Sequence, residues 1–279
     1  MAGAHRAADP HPAHPAAPGR RGRLRPRRQL SLDPDTPEPP LPAVRPPDDA
    51  SRFLVSPRYL AGDNEALADH VTDTLTGAGW SCWTTSQHTL LLAAPGQLCS
   101  AEWVLPDYPM LLGDLPVAWR ISARPEPDRR RASWNAYLTA GLPGEAVTAL
   151  ALTAEAAEDP TARRYGPDVV IDELLAAGWS PDPTYPDSTM WDPHLVACLT
   201  LRTLPEGIWD EDPTAHMPGW QAWAEPQAGA PFLWCAAFSH SAPHTLVAAF
   251  AAALTDPRPV PRRALPDLGS PHLTTVTPI

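Results

Sequence analysis

The sequence predicts an α+β protein, two tandem copies of a helix–antiparallel sheet–helix module behind a disordered N-terminal tail. Two observations carry that reading. The first is an internal repeat: residues 73–81 read DTLTGAGWS and residues 172–180 read DELLAAGWS, followed by Trp119 and Trp220 opening WRISARP and WQAWAEP, then Trp134 and Trp234 opening WNAYLTAGLP and WCAAFSHSAP. Landmarks that recur in one order at a near-constant spacing mark a duplicated structural unit. The second is the distribution of proline, which crowds the first fifty residues and the segment after Asp256. Both regions are poor in large apolar side chains and cannot offset the entropy of ordering. The expected boundaries are therefore a Pro/Arg-rich tail over 1–50, a first repeat over 51–160, a second over 161–257, and a Pro-rich C-terminal tail over 258–279.

Each copy reads as helix, strands, helix. The first helix is expected over 64–78 with Asp63 as its N-cap, and Leu67, Val71 and Leu75 make one apolar stripe. In the second copy Pro167 stands at the first helical position, with Val170, Leu174 and Ala177 as the stripe. Both helices end Ala-Gly-Trp. Gly79 and Gly178 suit a left-handed C′ position, which lets Trp80 and Trp179 cover Leu75 and Leu174 in a Schellman stop. Next come hairpins: strands over 89–93 and 98–105 around Pro95-Gly96, and over 189–191 and 195–204 around Asp192-Pro193. Pro143 and Pro243 then introduce the closing helices, whose apolar positions are Val147, Leu150, Ala151 and Ala154, and Leu246, Val247, Phe250, Ala253 and Leu254. Strand runs bracketed by helices imply helices packed on one sheet face. A single copy is small, so the two are expected to share an apolar interface.

Composition narrows the function. The formal net charge is −11, which argues against a body that coats nucleic acid. All 21 basic residues are arginine, so Schiff-base and P-loop lysine chemistry is excluded. Cys82, Cys99, Cys198 and Cys235 stand apart with no C-x-x-C pair, as free thiols do. The arginines near the N-terminus lack a following apolar segment of the secretory kind, and no run of eighteen apolar residues occurs. These features together predict a soluble cytoplasmic protein with no membrane association and no cofactor.

The segment VSPRYLAG, residues 55–62, leads into a helix ending Gly-Trp and later strand–helix signatures of the form W-x-A-x-F…P. In this the chain resembles the actinomycete SPDY family, domain of unknown function 317, many of whose members are tandem. The resemblance covers about 52–256 and implies the same α+β module twice, with no established activity. The second copy departs from it, since its entry Arg164-Tyr165-Gly166-Pro167 is abbreviated. The hairpin turn, Ser-Pro-Asp-like in the family, is Ala94-Pro95-Gly96 in one copy and Asp192-Pro193-His194 in the other.

No residues are expected to be catalytic: G-x-S-x-G is absent, and Glu206 with Asp210, Glu211 and Asp212 lies in an acidic Pro/Gly-bounded loop rather than a buried pair. No metal site is expected either, because Pro243 separates His240 from the helix that begins near His244, and the first copy has Ala140 and Gly144 there. Of eleven tryptophans, six repeat between copies (Trp80/Trp179, Trp119/Trp220, Trp134/Trp234) and read as core anchors, whereas Trp103, Trp191, Trp209 and Trp223 do not repeat. Trp209 and Trp223, with Asp210, Glu211 and Asp212, are the candidate binding surface of a non-catalytic adaptor for an unknown protein partner. A second reading is a nucleic-acid-associated accessory factor acting through Arg20, Arg21, Arg23, Arg25, Arg27 and Arg28. For that segment a solvated spacer and a start codon upstream of the true one stay open as well. The third reading is an enzyme of unrecognised type, which requires a polar pocket between the copies.

Overall fold

The computed structural model describes residues 53–62, 67–85, 89–104, 110–203, 218–266 and 269–276. Strand β1 (Phe53–Ser56) and a single 3₁₀ turn (Arg58–Leu60) lead into the first copy. That copy comprises α1 (Leu67–Gly77), β2 (Ser81–Thr84), β3 (Leu90–Ala93), β4 (Cys99–Trp103), β5 (Leu111–Leu112), β6 (Leu115–Ala123), β7 (Trp134–Thr139) and α2 (Gly144–Ala156). The second comprises α3 (Asp168–Ala176), β8 (Ser180–Pro181), β9 (Thr189–Trp191), β10 (Ala197–Arg202), β11 (Gly219–Ala224), β12 (Trp234–Phe238) and α4 (His244–Thr255). Strands β13 (Val260–Arg262) and β14 (Thr274–Val276) close the chain.

The repeated Gly-Trp helix stop has the expected geometry in both copies. Gly79 and Gly178 take φ of 92° and 84°, and the Trp80 and Trp179 amides reach back to the Leu75 and Leu174 carbonyls at 3.0 Å. Gly79 and Gly178 donate to Thr76 and Leu175, completing the Schellman pair. Val71, Leu75, Val170 and Leu174 are buried as the stripes require, but Ala177 is exposed because α3 has already ended in its capping turn. All six repeated tryptophans are buried.

The copies meet edge to edge in one antiparallel sheet, ordered β2-β3-β4-β6-β7-β12-β11-β10-β9-β8 with β5 on β6. At the junction Tyr137 pairs with Ala237, Leu138 with Ala236, and Ala136 with Phe238. Tyr137 and Ala237 are equivalent positions of the repeat, so the pairing has the symmetry of a two-fold axis through them. Thr139 Oγ1 seals the seam, donating to the Cys235 carbonyl at 3.1 Å and accepting the Cys235 amide at 2.8 Å. The helices cover one face in the order α1, α2, α4, α3. A single core joins both copies, with Leu150 and Ala151 of α2 and Val247, Phe250 and Ala251 of α4 among its members.

The entry segments are exchanged. Tyr59, ahead of the first copy, packs edge-on against Trp179 of the second at 5.6 Å, and its hydroxyl donates to Asp192 at 3.1 Å. The Tyr59 carbonyl accepts the Trp234 indole N–H at 2.8 Å; reciprocally, the Pro160 carbonyl accepts that of Trp134 at 2.8 Å. Pro160 thus takes Tyr59's place in the second entry, whereas Tyr165 is exposed. Arg58 donates to the Ala253 carbonyl at 2.7 Å and pairs with Asp256 at 3.1 Å.

Residues 258–279, which their proline content marks as a tail, instead supply β13 and β14. Both pair with β1 in a second, three-stranded sheet, and Pro261 lies in an edge strand, where a missing amide is tolerated. Arg262 is almost wholly buried and forms a bidentate pair with Glu145 in the first turn of α2, both bonds 2.8 Å, while its Nε donates to the Gly62 carbonyl at 3.1 Å. Burial alone would raise the Glu145 carboxyl; hydrogen bonds and charge from Arg262 outweigh it and hold Glu145 below the ordinary carboxylate value.

Candidate functional site

Strand alternation assigns every second side chain to the sheet face away from the helices. In the second copy, Trp191 stands opposite Cys198, Cys198 opposite Trp223, and Trp223 opposite Cys235, so one row crosses four strands. The equivalent row of the first copy is Ala93, Ser100, Ser122 and Asn135. There the Ser100 and Ser122 hydroxyls bond each other at 2.9 Å. In this row the first copy therefore carries small side chains, three of them polar, where the second carries aromatic and thiol groups.

Trp191 and Trp223 are both half-buried and meet edge to face, ring centres 5.9 Å apart and planes at 86°. Phe232, from the β11–β12 connection, extends the aromatic run from Trp223 at 6.3 Å. The Trp191 indole N–H donates to Asp182 at 3.1 Å. Asp182 also accepts the Thr184 and Tyr185 amides; the Thr184 amide first, then Trp191 and Tyr185, hold its carboxyl below the ordinary range. Trp191 is thereby fixed in orientation by a carboxylate that stays charged.

A cleft of about 250 Å³ opens beside Trp223, between Gln221, Phe232 and Cys235 of the second copy and Leu112 and Gly113 of the first. Gly113 and Asp114 form the two-residue turn between β5 and β6, with φ of 54° and 66°. A Cβ on Gly113 would stand 2.7 Å from Phe232 and 2.9 Å from the Cys235 sulfur, so only glycine lets this hairpin lie against the second copy. The floor is apolar: Leu112, Val117, Cys235 and Ala237 cluster there, with Tyr137, Trp223 and Phe232 packed on them.

The thiols on this face are poor nucleophiles. Burial first, then Glu225, pushes Cys235 up to about 12, and burial with nearby carboxylates raises Cys198 further. Both remain protonated at neutral pH. Cys235 also lies on the opposite face from His244, whose Nδ1 accepts the Trp220 indole N–H at 2.9 Å. Among the described residues no group of three His, Cys, Asp or Glu side chains is placed to hold a metal ion.

Of the residues singled out from sequence, Trp223 falls on this aromatic face. Trp209, Asp210, Glu211 and Asp212 lie outside the described residues, as do Arg20, Arg21, Arg23, Arg25, Arg27 and Arg28. Trp103 packs edge-on against Trp119 at 5.2 Å at the margin of the core. Trp191 and Phe232 were not singled out as a site, because only strand register brings them to Trp223. Trp83, 46% exposed on edge strand β2, is a further tryptophan with no counterpart in the second copy, and that lack of recurrence is its signal in the sequence.

Fold and face together define a tandem α+β repeat protein whose two copies share a core and differ on the outer sheet face. Residues 93–161 and 206–260 match the family model SPDY, described as a domain of unknown function (DUF317), one match in each copy. The family suggested by the entry motif is therefore the one whose model matches, in tandem, although residues 55–62 lie outside both matched regions. No curated protein and no solved structure matches the chain. Among the described residues no helix is long and apolar enough to cross a membrane.

Proposed function

We propose that this chain is a non-catalytic cytoplasmic adaptor that docks a partner protein on the outer face of its second copy. The observation that carries this reading is the replacement of Ala93, Ser100, Ser122 and Asn135 by Trp191, Cys198, Trp223 and Cys235 at matching positions. Half-buried indoles beside a cleft are typical anchors of protein interfaces, because they bring a large contact area at small entropic cost. The four cysteines are free, which suits a reducing compartment. Protonated thiols at the cleft favour recognition over nucleophilic chemistry.

The test is affinity purification of the full-length tagged chain from its native host, with and without nuclease, beside the Trp223→Ser variant. The expected result is a near-stoichiometric protein that survives nuclease and is missing from the variant. Loss of all partners on nuclease treatment would move the function to the arginine cluster. Equal recovery by the variant would remove the aromatic face from the account.

A further inference from the structure

The second copy holds another group that the first lacks. A cleft of about 520 Å³ lies where α3 and α4 begin, walled by Pro167, Leu201 and Pro218, with Arg163, Arg202, Thr203, His240 and His244 also in its lining. The protonation of His244 follows from its partners. An indole N–H can only donate, so the Nδ1 that accepts from Trp220 carries no proton, and the neutral ring bears its hydrogen on Nε2. Turning the ring over would set a carbon against Trp220 and lose that bond, so the orientation is fixed. The Arg163 Nη2 lies 3.4 Å from Nε2, and a guanidinium also only donates. Two N–H donors therefore face each other with no acceptor between them among the described residues. His244 is only 7% exposed, so its Nε2–H meets an acceptor only through the cleft.

Burial first, then the Arg163 charge, lowers the His244 pKa against an opposing pull from Asp168, and so keeps the ring neutral. The Arg163 guanidinium then faces the cleft beside the neutral His244 donor, with Arg202 and His240 also in the lining. The two adjacent donors can each give a bond to one oxygen of a carboxylate. Pro167, Leu201 and Pro218 give an apolar wall with room for a hydrocarbon body. We infer that this cleft is a binding site for a small apolar carboxylic acid, its carboxylate bridging Arg163 and His244 Nε2–H. The first copy has Gly144 in place of His244, and there the Trp119 indole N–H is buried without a partner. The fold thus does not require the histidine.

The test uses the full chain labelled with ¹⁵N-histidine and phenylacetate as the probe, with inorganic phosphate as the comparison. The free protein should show His244 neutral with its proton on Nε2, and phenylacetate should shift that resonance at about 10 mM or below. Arg163 is exposed, so Arg163→Ala leaves the fold intact and should weaken phenylacetate binding about tenfold or more by calorimetry. A proton found on Nδ1, no shift with phenylacetate, or equal binding by the variant would each overturn the inference. A shift with phosphate alone would overturn the assignment of a carboxylic acid.

Discussion

On the outer face of the sheet the first copy presents Ser100 and Ser122 bonded to each other, where the second presents Cys198 under the crossed rings of Trp191 and Trp223. Behind the sheet the copies scarcely differ. Trp134 and Trp234 make the same indole bond to a carbonyl of the exchanged entry segment, and Trp80 and Trp179 close the same Schellman stop. One difference inside the core is at Trp220, which has His244 as its acceptor while Trp119 has none. Duplication thus separates two kinds of position. Those that both copies keep serve the fold, and those changed in one copy are free to serve recognition.

The sharpest way to break this comparison is to strike equivalent core positions. Trp134→Ala and Trp234→Ala should each cost about 4 kcal/mol, and in a single urea transition, since both rings lie in one core. Two separated transitions in either variant would contradict the shared core. Arg262→Ala comes next at about 3 kcal/mol, because it leaves the Glu145 carboxylate partly buried without its partner. Glu145 sits below its unfolded-state value, so its contribution is fully present above the ordinary glutamate range and is lost as pH falls through the folded-state value. The stability gap between wild type and Arg262→Ala should accordingly narrow below about pH 4.5, as read from urea midpoints across pH. Gly113→Ala should cost about 2 kcal/mol through its left-handed φ and the contact with Phe232, and should quench or shift Trp223 fluorescence as the hairpin lifts. Trp223→Ser should have the smallest effect on stability, about 1 kcal/mol, since it loses two edge-on ring contacts on a half-exposed face.

What was legible in the sequence was local. Gly79-Trp80 and Gly178-Trp179 reveal the helix stops because a Schellman motif is completed within six residues. The turns at Pro95-Gly96 and Asp192-Pro193 give the hairpins for the same reason. The hidden features depend on partners far apart in the chain: β13 and β14 become strands only against β1, and the entry segments cross to the opposite copy. Proline content therefore misled over 258–279, where Val260 and Arg262 are buried around Pro261. At the candidate site, Trp223 was visible as a tryptophan without a counterpart. Its neighbours were not, since the register through Cys198 joins Trp191 to it and the first copy's Gly113 hairpin completes the cleft.

The most direct measurement gives the second copy the outer face of the first. In the double variant Trp191→Ala, Trp223→Ser, which installs the residue types of Ala93 and Ser122, affinity for the purified nuclease-resistant partner would be compared with wild type at matched thermal stability. The expected result is a folded protein whose Kd rises about 100-fold or more, in keeping with the loss of two aromatic anchors. A folded double variant that binds its partner as wild type does would contradict the claim that divergence of this face created the binding surface.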